Sequence, residues 1–170
     1  LHILDYARTL GVETHKRKPE LSDDKVSAFE VVKNLLSDGV LGTKSETVVT
    51  VMYGSSIFVR PQQIIKMLSL LEKYDMAFSA TEFSFPPLRG FKYEKGSLQP
   101  VQKNAFLMRS QDLEPWFHDV GQIYMATHQY WLSADSIYGK KSTFYNMSSS
   151  EVQDIDTDQD LALAELKLKH

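Results

Sequence analysis

Cysteine is absent from the 170-residue sequence. Its absence excludes disulfide scaffolds, cysteine-ligated zinc, iron–sulfur clusters and thiol nucleophiles. An excess of either charge is missing too: 19 Lys and Arg stand against 22 Asp and Glu, a net charge of −3. That balance gives no general attraction to nucleic acid or to anionic lipid, so neither is expected as a partner. No run approaches the roughly eighteen apolar residues that a membrane span needs. The opening stretch, Leu1 to Val12, carries Asp5 and Arg8 and lacks a signal-peptide layout, so a cytoplasmic location is expected. Internal repeats and low-complexity tracts are also lacking. What remains is an apolar share of 42%, enough for a sizeable core. The length fits one domain or a large piece of a bigger one. The first residue is Leu1 and not Met, which is compatible with a fragment.

Leu1, Leu4, Ala7 and Leu10 recur at helical spacing, and Gly11 is a natural stop. Val12–Lys16 has the look of a short strand. Ser22, in the turn-like Pro19–Asp24, is placed to cap a helix through Ala28, Val31, Val32, Leu35 and Leu36, ended by Gly39 and Gly42. Thr47–Tyr53 is rich in β-branched and apolar residues without strict alternation, which predicts a parallel strand buried on both faces. The loop Gly54-Ser55-Ser56 follows. Pro61 then opens a helix whose apolar face is Ile64, Ile65, Met67, Leu68, Leu70 and Leu71. Met76–Ala80 reads as a second strand, so the three elements predict a βαβ unit with a right-handed crossover.

Between Ser84 and Lys103 the pattern is irregular, with a hairpin expected at Glu94-Lys95-Gly96. Further on, Gly121–Thr127 predicts a strand, Gln129–Tyr138 a short helix and Thr143–Met147 an extended segment. Thr157 is placed to cap a last helix, with Asp158 and Asp160 in its first turn and Leu161, Ala164 and Leu168 as its stripe.

The strongest chemical signal is Asp154-Ile155-Asp156. If residues 152–156 are extended, both carboxylates share a face, where they suit a hard cation such as Mg²⁺. A solvated acidic turn ahead of a helix explains the same spacing. The loop Gly54-Ser55-Ser56 offers hydroxyls and backbone amides where parallel α/β sheets bind ligands, though an ordinary βα turn would look alike. Neither a dinucleotide fingerprint nor a Walker loop is present. His15-Lys16-Arg17-Lys18 could meet phosphates or form a solvated charge run. Arg109–Leu113 and His118–Tyr124 mix groups able to hydrogen-bond a sugar or a carboxylate. No Ser/His/Asp order can be singled out, and a lone His such as His118 is more often structural.

Taken in order, Pro19–Asp24, Tyr53–Pro61, Arg109–Leu113 and Gln153–Thr157 with Asp160 and Ala164-Glu165 resemble the acylneuraminate cytidylyltransferases. These enzymes activate nonulosonic acids with CTP. Thr81–Pro86 and Phe117–Tyr124 look most like the branch acting on pseudaminic acid. The resemblance runs along essentially the whole chain.

It implies a nucleotide-diphospho-sugar transferase fold: a Rossmann-like α/β/α sandwich around a mixed, mostly parallel sheet. It implies one cytidylyltransferase domain over residues 1–170. The implied reaction moves CMP from CTP to the anomeric hydroxyl of the acid sugar and releases pyrophosphate, with Mg²⁺ on Asp154 and Asp156. Ser55, Ser56, Arg17, Lys18 and Asp24 are the implied nucleotide contacts. Arg89, Arg109, Gln122 and Tyr124 are those for the sugar. A homodimer is implied through an insertion at 86–131, where Phe91, Tyr93, Trp116 and Trp131 could serve an interface or a core. Two departures stand out. Ile57 takes the place of a usual Pro, which is expected to loosen its loop. The family's first strand and cationic phosphate loop have no counterpart, so the chain reads as N-terminally truncated by about fifty residues on that analogy. A non-catalytic relative kept for binding or oligomerisation, and a cytidylyltransferase for another acid sugar such as Kdo, remain the alternatives.

Overall fold

The computed structural model describes residues 2–23, 25–40 and 44–169. Helix α1 (His2–Thr9) forms at the expected spacing and buries none of its residues. Gly11, at φ +75°, follows its end. The expected strand at Val12–Lys16 does not form; the segment is largely exposed and without a strand partner. Lone extended backbone gains nothing over water for its hydrogen bonds. Helix α2 (Ala28–Ser37) is capped by Ser27, not Ser22. The Ser27 hydroxyl accepts from Glu30 N at 3.2 Å, and the Glu30 carboxylate accepts from Ser27 N at 3.0 Å. This reciprocal box needs an acid three residues after the serine, a spacing that Ser22 lacks. Gly39 ends α2 at φ +69°, whereas Gly42 lies outside the described residues.

Strand β1 (Val48–Met52), helix α3 (Pro61–Leu70) and strand β2 (Met76–Glu82) follow in the expected order. After them come β3 (Phe91–Glu94), β4 (Ser97–Pro100), β5 (Phe117–Thr127), helix α4 (His128–Ser133), β6 (Ser142–Asn146) and helix α5 (Asp158–Leu168). The main sheet has the order β1-β5-β2-β6. β5 is antiparallel to both β1 and β2, while β6 is parallel to β2. Three of the four strands therefore point the same way, and the βαβ crossover spans the inverted β5. β1 is an edge strand of this sheet, with Thr50 and Met52 open to solvent, so it is not buried on both faces as its composition predicts. That place belongs to β2, whose residues Met76 to Thr81 are all buried.

Alternation along β2 sends Met76, Phe78 and Ala80 to one face and Ala77 to the other. The first group packs with Leu36 of α2, Tyr124, Ala126 and Trp131 of α4; the second packs with Met67 of α3, Ile123 and Met125. Helices thus cover both faces of a mixed sheet. In α3, Ile65 and Leu68 are exposed and Gln63 is buried instead, because the stripe meeting β2 and β6 is narrower than the apolar one. α4 stops at Ser133, short of the predicted Tyr138. Trp131 is 1% exposed and belongs to the core, not to a surface. In α5 only Ala164 is buried; Leu161 and Leu168 face solvent. The hairpin forms as predicted, with Lys95 at φ +50° and Gly96 at φ +78°, the backbone of a two-residue primed turn. It makes a separate two-stranded sheet with Phe91 and Tyr93 exposed.

Candidate active site

Because β5 is inverted, its N-terminal end meets the C-terminal ends of β1 and β2. The loop after β1, the start of β5 and the segment after β6 therefore gather at the end of the sheet where such folds hold ligands. The loop after β1 is stapled there: Tyr53 N and Ser56 Oγ both donate to Gln122 O, at 3.3 and 2.9 Å. Ser56 is buried and its hydroxyl is committed to this staple, while Ser55 is partly open. Ile57, in place of the usual Pro, adds a bond to the loop. Its N–H donates to Ser55 O at 2.8 Å, a bond that proline cannot make.

Along β5 the register jumps from Phe78↔Tyr124 to Ala80↔Asp119. The extra residues bulge out around Gly121, which has φ +64°. A Cβ there would sit in ordinary contact with the Tyr53 ring, at 3.6 Å, so it is the positive φ of the bulge that calls for glycine. Asp119 holds the bulge: one carboxylate oxygen accepts from Gly121 N at 2.8 Å, the other from the Tyr124 hydroxyl at 2.7 Å. The Tyr53 and Tyr124 rings pack at 5.6 Å between centroids. Burial, and then the Asp119 carboxylate, push the Tyr124 phenol far above its ordinary range. Tyr124 is thus a fixed hydrogen-bond donor.

Tyr53, Asp119 and Tyr124 form a wall shared by two hollows. One, of about 470 Å³, opens toward Ser27, Phe29 and Trp131. The other, of about 450 Å³, reaches His118, Gln153 and Asp154. Asp154 thus lies in a hollow with Tyr124. Asp156, two residues on, is exposed and outside that lining. Residues 152–155 form no strand, so a strand's alternation does not bring the two carboxylates together. Asp160 is spoken for: one carboxylate oxygen accepts from Thr157 Oγ1 at 2.6 Å, Thr157 N at 2.9 Å and Asp156 N at 3.3 Å. These bonds, the Thr157 hydroxyl foremost, hold its carboxyl below the usual range. Asp154 and Asp156 enter no ion pair among the described residues. Nor, among those residues, do three or more His, Asp or Glu gather to cage a metal. Free oxygen donors without a cage suit Mg²⁺, which takes one or two carboxylates and fills its shell with water and phosphate oxygens.

The other expected contacts scatter. Lys18 pairs with Asp38 at 2.8 Å, at the C-terminal end of α2, which a ten-residue helix places about 15 Å from its Ser27 end. Arg17 donates to Leu21 O at 3.3 Å. Neither lines the two hollows, and Asp24 lies outside the described residues. Arg89 lines a separate hollow of about 660 Å³ with Phe83, Phe85 and Phe106. Arg109 is engaged by both oxygens of Asp112, at 2.8 and 3.0 Å. Gln122 is 2% exposed and turns inward, its Nε2 donating to Glu151 O at 3.3 Å while its Oε1 has no partner. It braces the turn ahead of Asp154 and does not line the hollow. Tyr53 and Asp119 lie in the segments Tyr53–Pro61 and His118–Tyr124 that the sequence points to, yet neither is among the site residues it implies, although Asp119-Val120-Gly121 has the spacing of an Asx turn.

A mixed sheet sandwiched by helices, with its hollows beyond the strand ends, places the chain in the nucleotide-diphospho-sugar transferase class of α/β proteins. No family profile matches it, but curated relatives do. It is 31% identical over 160 residues to the pseudaminic acid cytidylyltransferase of Campylobacter jejuni, covering 90% of this chain and 67% of that protein. A Helicobacter pylori protein named as both pseudaminic acid cytidylyltransferase and UDP-2,4-diacetamido-2,4,6-trideoxy-beta-L-altropyranose hydrolase is 28% identical, over 91% of this chain and 30% of its own length. N-acylneuraminate cytidylyltransferase A of Danio rerio is 27% identical, over 98% of this chain and 38% of its own. The chain belongs to the acylneuraminate cytidylyltransferase family, which unites these enzymes. Among its described residues no helix is long and apolar enough to cross a membrane.

Proposed function

We propose that the protein transfers CMP from CTP to the anomeric hydroxyl of a nonulosonic acid, pseudaminic acid in the first instance, and releases pyrophosphate. The observation carrying this reading is the similarity to the Campylobacter jejuni enzyme along 90% of the chain. The site's chemistry supports it. CTP is a polyanion and the acceptor is a carboxylate, so their encounter is repulsive unless a cation intervenes. Mg²⁺ held by Asp154 and Asp156 would neutralise phosphate charge and favour in-line displacement. Tyr124, held by Asp119, shapes the wall beside it, and the loop at Ser55 offers its hydroxyl to the nucleotide. Two substrates held where the adjoining hollows meet would gain the proximity that bimolecular chemistry lacks.

The test is pyrophosphate release by the protein as its native reading frame encodes it, with CTP, Mg²⁺ and a panel of acid sugars. Release with pseudaminic acid ahead of N-acetylneuraminic acid and Kdo is the expected result; Kdo as the preferred acceptor would reassign the substrate. One observation favours a non-catalytic reading: among the described residues no Lys or Arg lines either hollow. That reading requires no turnover with any of these acids and no CTP binding by calorimetry.

A homodimer through the 86–131 region is part of the same proposal. Phe85 and Leu107 are 86% and 88% exposed there or beside it, and Phe91 and Tyr93 are exposed too. Sedimentation velocity should give twice the chain mass, and Leu107→Asp should shift it toward the monomer. A monomeric native protein rejects the interface.

A further inference from the structure

Building on the cytidylyltransferase reading, the geometry points to His118 as the general base that takes the proton from the attacking sugar hydroxyl. The second hollow is lined by six residues whose side chains can exchange a proton or donate a hydrogen bond: Tyr53, His118, Asp119, Tyr124, Gln153 and Asp154. The Asp119 carboxylate already accepts from Gly121 N and the Tyr124 hydroxyl. The Tyr124 phenol is committed as the donor in that bond. Asp154 is assigned to the cation. A phenol and an amide keep their protons and serve as donors, which sets aside Tyr53 and Gln153. His118 remains, and its ring is set for the task. Nδ1 lies 3.0 Å from the Asp119 carbonyl oxygen. A carbonyl only accepts, so Nδ1 carries the hydrogen and Nε2 is left as the proton-accepting atom of the neutral ring.

The ring is also fixed in place. It packs on Phe83 at 4.6 Å between centroids. Its backbone sits on a strand, opposite Thr81 of β2, and Phe83 N donates to Trp116 O at 2.9 Å across the same pair. The inverted β5 is what carries a strand-borne histidine to the ligand end of the sheet.

The step balances. The O–H bond of the anomeric hydroxyl breaks and its proton passes to His118 Nε2. The freed electron pair forms the bond to the α-phosphorus. The bond from that phosphorus to the bridging oxygen breaks, and its pair leaves with pyrophosphate. The exposed imidazolium then returns its proton to water.

The experiment is His118→Ala in the native full-length protein, with steady-state rates, CTP calorimetry and added imidazole. We expect kcat to fall about 100-fold, CTP affinity to hold within about threefold, and free imidazole to restore at least a tenth of the lost rate by occupying the space beside Phe83. His118→Gln, which keeps bulk and the contact to Phe83, should be as slow as His118→Ala and should not respond to imidazole. Turnover near the parent rate in either variant overturns the assignment. So does a loss that CTP affinity shares and imidazole does not relieve, since that marks a merely structural ring. If the parent protein itself releases no pyrophosphate, the cytidylyltransferase reading fails and not the choice of base.

Discussion

Asp154→Asn should slow cytidylyl transfer about 100-fold while leaving the fold intact. The carboxylate is exposed and makes no ion pair among the described residues, so replacing it with an amide should change stability by no more than about 0.5 kcal/mol. In the proposed reaction the same group neutralises phosphate charge, and a loss of about 3 kcal/mol of transition-state stabilisation lowers kcat about 100-fold. Mg²⁺ titration by calorimetry in the presence of CTP should weaken in parallel. Asp156→Asn should follow the same direction. A variant that turns over at the parent rate with unchanged Mg²⁺ dependence removes Asp154 from the site. The pairing of a large kinetic effect with a negligible thermal one separates this residue from the helix-capping acid Asp160, whose substitution should chiefly lower stability.

Trp131→Ala should have the opposite signature. The indole is 1% exposed, packs on Phe29 at 5.4 Å and donates from Nε1 to Val49 O at 3.2 Å. It joins α4 to α2 and to the edge strand β1 through the cluster of Leu36, Met76 and Phe78. Truncation leaves a void and loses the donor, a cost of about 3–5 kcal/mol. In a domain of this size that lowers Tm by roughly 10 °C. Trp131→Phe keeps most of the volume and should cost only about 1–2 kcal/mol. Thermal unfolding followed by circular dichroism checks both. A shift of less than a degree or two for Trp131→Ala would show that this cluster is not the core.

The β1–α3–β2 unit was legible because each part obeys a local rule: β-branched residues at Val48, Val49, Thr50 and Val51, proline at the first helical position, an apolar run at Met76–Ala80. The hairpin at Lys95-Gly96 was legible for the same reason. The inverted β5 was not, since direction is set by which edges remain to be paired and no residue encodes that. Its first half, Phe117–Val120, is too exposed and too irregular to read as a strand. The Ser27 cap was written in the sequence as Ser27 followed three residues later by Glu30, yet the turn-like Pro19–Asp24 drew attention to Ser22. In the site, Asp154 was visible from its spacing to Asp156. Asp119 and His118 acquire meaning only once the bulge at Gly121 and the reversal of β5 put them beside it. Gln122 misled for a related reason: the bulge breaks the alternation that would have turned its side chain outward.

The reversal of β5 has a consequence for how the site comes into being. Two of the bonds that fix it, Ser79 to Ile123 and Ser56 to Gln122, join residues 44 and 66 positions apart. Each closes a long loop before any local contact rewards it, and such pairings form slowly. No local segment forms the hollow alone, because its wall takes Tyr53 from one strand end and Asp119 and Tyr124 from another. The site is therefore assembled in the same event that completes the sheet, and loss of β5 from its neighbours would erase the hollow and the core together.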